Sequence, residues 1–141
     1  MTVKPKEYTF DSLPLQQRAS FEHTVQQKDV DDFADVSGDK NPLHTDAAFA
    51  SKTQFNDVVV HGMYLGALLS RMVGMELPGL HSLLGASYLE FKKPVRVGDS
   101  IRVEGVVTHK SAATRIAEIE LTFSRTGELV ATGNARVQLL K

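Results

Sequence analysis

Six side chains able to do chemistry fall within one stretch, SGDKNPLHTDAAFASKTQFNDVVVHGM over residues 37–63. They are Asp39, Asn41, His44, Asp46, Asp57 and His61. The same stretch holds the chain breakers Gly38, Pro42, Asn56 and Gly62. A polar loop with proline in its middle adds little to a core, but it can aim side chains. Pro42 cannot continue a preceding helix and pushes Asn41 toward extended geometry. Asp39 and His44 therefore flank a rigid bend. Folded across it, a carboxylate and an imidazole can face one small volume, hold a water and move protons near neutral pH. Structural roles compete for the same residues. Asp39 can form a turn, Asn41 can act as a capping amide, and Thr45 or Asp46 can cap the next helix, DAAFASK. Asp39, His44, Asp46 and His61 are also metal-ligand types. Their spacing matches no H-x-x-x-H or similar pattern and the chain has no cysteine, so no metal is expected.

The elements that must position this loop lie on either side of it. Ser20 to Gln26 alternates Phe21, His23 and Val25 against polar residues, which predicts a half-buried first strand. His23 then falls on the apolar face, as an ordinary hydrogen-bonded histidine. Asp29 is placed to cap a short helix carrying Val30, Phe33, Ala34 and Val36, with Asp31 and Asp32 in its first turn. Gly38 is placed to end that helix in a left-handed turn. After the loop, Gly62 to Glu76 predicts a helix apolar on nearly every side, hence buried, with small residues at Gly62, Gly66, Ala67, Ser70 and Gly74. The Gly62 N–H at its start is a candidate donor to a developing oxyanion, or Gly62 simply permits a tight entry. Pro78 and Gly79 stop the helix. Strand patterns then run over 82–91, 101–107, 115–125 and 129–140. Residues 92–99 connect the first two of these, and Thr126-Gly127 turns between the last two. The expected architecture is α+β: one strand, a helical insert, one long central helix, then a four-strand meander curved around that helix.

Composition sets the outer limits. A chain of 141 residues, 42% hydrophobic and 23% charged, suits one globular domain. Residues 1–19 read as an N-terminal extension opened by a mobile Lys4-Pro5-Lys6, and 20–141 as the domain. A net charge of −1 gives no pull toward nucleic acid or an anionic membrane. The N-terminus lacks the apolar core of a secretory signal, and no apolar run approaches a membrane span, which predicts a cytoplasmic protein.

The segments FADVSGDKNPLHTDAAFA, VVVHGMYLGALLS and LEFKKPVRVGD resemble, in order and spacing, the (R)-specific enoyl-CoA hydratase branch of the MaoC-like hot-dog family. The likeness runs from about Phe21 to the end of the chain. The resemblance implies a single hot-dog domain and reversible hydration of trans-2-enoyl-CoA to (R)-3-hydroxyacyl-CoA, without a cofactor. The family's aspartate and histidine, which hold and activate the water, fall on Asp39 and His44. Asn41 would shape the loop between them. The Gly62 N–H would bind the thioester oxygen, and Ser70 would hydrogen-bond and orient the aspartate. The acyl tail would lie along the central helix near Leu65, Leu69, Met72 and Leu84. Lys92, Lys93, Arg96 and Arg102 are candidates for the CoA phosphates. A homodimer is expected, because the family covers its open sheet by pairing subunits. The competing readings are a dehydratase acting on acyl carrier protein or on one specialised hydroxyacyl-CoA, a hot-dog thioesterase, and a non-catalytic acyl-CoA-binding module.

Overall fold

A computed structural model describes residues 2–141. Five strands form one antiparallel sheet: β1 (Arg18–Thr24), β2 (Ser82–Phe91), β3 (Ser100–Ser111), β4 (Ile116–Arg125) and β5 (Glu128–Leu139). Between β1 and β2 lie α1 (Gln27–Ser37), α2 (Pro42–Thr45), α3 (Ala47–Ala50) and α4 (Tyr64–Arg71). No described helix is long and apolar enough to cross a membrane.

The sheet order is β1-β3-β4-β5-β2. The meander expected over all four later strands therefore holds only for β3, β4 and β5. β2 pairs with β5, from Ser82 opposite Leu139 to Phe91 opposite Ala131. The reason is the connection over 92–99, which is too long for a tight hairpin and is interrupted by Pro94. It leaves β2 by hydrogen bonds from the Lys92 and Lys93 N–H groups to Val130 O (2.9 and 3.1 Å). It then enters β3 through a turn in which the Arg96 N–H donates to Asp99 Oδ2 (2.8 Å).

Period-two patterning places one face of β3 and β4 entirely inside. Ile101, Val103, Val107, Ala117, Ile119 and Phe123 are each fully buried. α4 covers that face with Tyr64, Leu65, Leu68 and Leu69. It is shorter than the predicted helix, because Met72–Glu76 continues as one π-helical turn. Nor is α4 buried all round. Met63, Ala67, Ser70 and Arg71 form an exposed stripe, with Arg71 stacked 4.0 Å over the Phe21 ring.

The segment before β1 is packed against the domain. The Lys6 N–H donates to Met75 O and the Gln16 N–H to Val107 O (2.9 and 2.8 Å), and Leu13 is completely buried. Met72, expected beside the acyl tail, is also a core residue. It is fully buried, and its Cγ and Sδ lie against Gly105 of β3. Leu69 is buried likewise, whereas Leu84 is exposed on β2.

Truncating Met72 to alanine should therefore cost stability, about 2–5 kcal/mol as for other buried large-to-small changes. Urea unfolding measures this; an unchanged midpoint would mean that Met72 is not part of the packed core.

Candidate active site

α1 begins with Gln26 as its N-cap, and Asp29 sits three residues inside. Asp29 was expected at the cap itself. Instead its carboxylate reaches back to accept the Gln26 N–H (2.8 Å), the reciprocal half of a capping box. The same carboxylate meets His23 Nε2 (2.9 Å) and the Tyr64 hydroxyl, so β1, α1 and α4 are joined at one point. Burial pushes the Asp29 carboxyl up, but the Gln26 N–H, His23 and Tyr64 together outweigh it and hold it below the usual range. Tyr64 is pushed far up, by burial first and then by the Asp29 charge.

α1 ends as expected at Gly38, whose φ of 75° is left-handed. The turn delivers Asp39 to the surface. The Asp39 carboxylate accepts the Asn41 N–H (3.2 Å), and the Asn41 side chain accepts the Leu43 N–H (3.0 Å), capping α2 with Pro42 in its first turn. Asp46 then caps α3 through the Phe49 N–H (3.1 Å). The turn and capping roles of these residues are real, and they leave Asp39 room for a chemical one. The turn engages Oδ1 of Asp39 and leaves Oδ2 uncommitted.

The two imidazoles are held by main-chain carbonyls. His44 Nδ1 lies 2.6 Å from Val59 O, and His61 Nε2 lies 2.8 Å from Asp39 O. A carbonyl can only accept, so the proton is assigned to Nδ1 of His44 and to Nε2 of His61. His44 is thereby left with Nε2 as its acceptor. The rings stack, with centroids 4.1 Å apart and planes at 27°, and Phe33 also packs against His61, its ring centroid 4.9 Å away. One donor atom each from Asp39, His44 and His61 falls within 4.8 Å of the others. The fold thus gathers a metal-capable trio that spacing did not reveal, without Asp46. One nitrogen of each imidazole is already engaged by a carbonyl, and lone pairs on near-parallel rings do not converge on one point. The arrangement suits a hydrogen-bonded water better, since one water bridges groups separated by such a gap.

Beside this trio opens a mostly apolar cleft of ≈ 320 Å³, walled by His44, His61, Gly62, Leu65, Phe91 and Val95 among others. The size fits a small-molecule site. The Gly62 N–H meets no protein acceptor among the described residues. A Cβ at Gly62 would stand 3.1 Å from the Phe91 ring, so glycine is what lets ring and backbone approach. Of the predicted tail residues, Leu65 lines the cleft. Ser70 does not reach Asp39 within the chain. It lies on the exposed stripe of α4, six residues beyond Tyr64, about 9 Å along the axis.

Of the four candidate cations, Lys92 and Lys93 line the cleft. Arg96 is instead a brace. Its guanidinium donates to the carbonyls of Phe55, Asp57 and Val58 (2.7, 2.9 and 3.1 Å). Arg102 bonds Ser20 across the β1–β3 pair and faces Glu104 and Glu22. Sequence reasoning named His61 as chemically capable but gave it no task, and it missed Phe91 as a wall of the site.

Asp29 supplies a pH test of how α1 and α4 are locked together. Its carboxyl is lower in the folded chain than its unfolded value of about 3.9. The stabilisation is thus present above that value and lost as pH falls through the folded one. Asp29→Asn should lower stability at neutral pH and flatten its decline between about pH 5 and pH 2. Denaturant titrations at several pH values measure this, and parallel profiles for the two proteins would contradict it.

Comparison with known proteins agrees with the geometry. Residues 12–128 match the family described as MaoC like domain. The chain is 41% identical over 132 residues to the (R)-specific enoyl-CoA hydratase of Aeromonas caviae, covering 91% of this chain and 96% of that protein. It is 33% identical over 132 residues to the 3-hydroxybutyryl-CoA dehydratase of Methylorubrum extorquens, covering 94% and 84%. The unliganded R-hydratase PhaJ1 from Pseudomonas aeruginosa superposes with a TM-score of 0.89 at 32% identity, covering 96% of this chain and 87% of that one. With its five-stranded antiparallel sheet, its covering helix and its match over most of its length, the chain belongs to the MaoC-like hot-dog dehydratase family.

Proposed function

We propose that this protein catalyses the reversible hydration of trans-2-enoyl-CoA to (R)-3-hydroxyacyl-CoA. The observation that carries the reading is the grouping of Asp39 with His44 and His61, where His44 and Gly62, with its unpartnered N–H, line one apolar cleft. The similarity to proteins named (R)-specific enoyl-CoA hydratase supports the substrate class and the product hand.

Water is held between the Asp39 carboxylate and Nε2 of His44. As its oxygen bonds to Cβ, one O–H bond breaks and the proton passes to Asp39. The π electrons of the Cα–Cβ bond shift toward the thioester, and the Gly62 N–H receives the developing oxyanion, a donor of a kind worth about 3–4 kcal/mol. Asp39 then returns the proton to Cα, so that H and OH have added across the bond. Asp39 is assigned the proton because His44 is backed by a neutral carbonyl rather than by a countercharge. His44 orients the water. Elimination of water is the same path reversed.

Leu65 and Phe91 would contact the acyl portion, and Lys92 and Lys93 would face the anionic CoA end. We further propose a homodimer. β2 is a ten-residue edge strand that pairs only with β5, and Leu83, Tyr88 and Phe91 on it are about half exposed. A long apolar edge of this kind is covered in stable proteins.

Following the enoyl-thioester absorbance of crotonyl-CoA tests the reaction. Wild type should consume the band, and Asp39→Asn should lose about 10²–10⁴-fold in kcat with KM little changed. Wild-type turnover in that variant would remove Asp39 from the mechanism. Sedimentation should give a mass twice that of one chain, reduced to one by Tyr88→Asp with Leu83→Asp; a monomeric wild type would overturn the assembly.

A further inference from the structure

Among the described residues, His61 is the one polar side chain counted in the buried core, at 2% exposure. It packs against the rings of both Phe33 and His44, in an aromatic slot. Its Nδ1 is buried without any hydrogen-bond partner. An unpaired buried polar atom opposes folding. Phenylalanine would fill the same slot without that cost, so packing does not explain a histidine here. What the histidine adds is the Nε2–H bond to the Asp39 carbonyl, 2.8 Å long and spanning twenty-two residues of sequence.

We propose that His61 is a positioning residue for the hydration step. Its Nε2–H fixes the main chain of Asp39, and its ring face fixes His44, so that carboxylate and imidazole keep one water between them. The residues around it form a single brace. The Val59 N–H donates to Leu43 O (3.1 Å), Val59 O accepts from His44, and the Val60 N–H donates to Val95 O (2.8 Å). His61 completes that brace toward Asp39, and Gly62, carrying the oxyanion donor, follows it directly in the chain. One short segment therefore sets the distances among all three groups that the reaction needs.

This inference rests on the hydratase reading, and the experiment separates the two. Crotonyl-CoA hydration is measured with the full chain for wild type, His61→Phe and His61→Gln. Phenylalanine keeps the ring and removes the donor; glutamine restores an N–H near the Nε2 position. His61→Phe should lose about 100-fold in kcat with KM changed by less than about threefold, as expected when catalytic groups are displaced by about an ångström. Its thermal midpoint should equal or exceed that of wild type. His61→Gln should recover at least about tenfold in kcat over His61→Phe. A His61→Phe variant with wild-type kcat, or a His61→Gln variant no faster than His61→Phe, would overturn the proposal. So would a loss of activity accounted for by a loss of folded protein. Nitrogen-15 imidazole spectra of wild type give a readout that needs no variant. His61 should carry a proton on Nε2, and an Nε2 without one would overturn the proposed tether. Absence of turnover in wild type would instead refute the hydratase reading, while the spectra still report on the His61 bond.

Discussion

The packing of α4 into the inner face of the sheet is the contact on which everything else hangs. The sheet has one apolar face to hide, and α4 with its π-helical turn covers it. Each fully buried Leu or Met on that helix contributes about 1.5–3 kcal/mol from removal of apolar surface from water. The start of α4 is consequently fixed with the precision of a core, and that start lies two residues after Gly62. The Gly62 N–H, proposed as the oxyanion donor, inherits its rigidity from leucines one or two turns away. The loop bearing Asp39 and His44 has no such core of its own. It is short-helical, exposed and polar, and it is held by tying its carbonyls and N–H groups to residues 59–61.

The ties are neutral. Main-chain carbonyls accept from both imidazoles, and no carboxylate stands behind His44. The Asp39 carboxylate is the one negative charge in the trio, so it dominates the field felt by a bound water. The charged side chains near the cleft do other work. Arg96 pins the chain that leads into Val59 through three carbonyls, and its fork suits that task in a way that a lysine would not. Arg125 ties Asp99 and the Pro94 carbonyl to the end of β4 and anchors the strap from the far side.

Much of this was legible in the sequence. β2 was readable with its boundaries intact, because its end is marked by the Lys-Lys-Pro break. The Gly38 turn, the rigid Pro42 bend and the joint placement of Asp39, Asn41 and His44 follow from local backbone rules. What failed was non-local. Strand order was misread because consecutive strands usually pair, whereas β2 leaves its sequence neighbour and joins β5. Residue type does not say which side of a helix or connection faces the cleft, so the burial of Met72 and the bonding of Arg96 to three carbonyls were not legible. Ser70 carried a role from the resemblance, yet a single chain turns it outward. His61 was visible as a histidine, but only the fold shows its ring buried against His44.

Strand order also dictates a sequence of events during synthesis. β5 lies between β4 and β2, so β2 leaves the ribosome long before the strand that will pair with it. At ~5–20 residues per second the delay amounts to a few seconds. Throughout it, a ten-residue strand with exposed apolar side chains has both edges open. Its early companion is the preceding π-helical turn, which packs against it locally. Nascent chains caught at this stage on one messenger would present the same unpaired edge to one another. The order of the strands therefore makes β2 the point at which premature association between neighbouring nascent chains competes with folding.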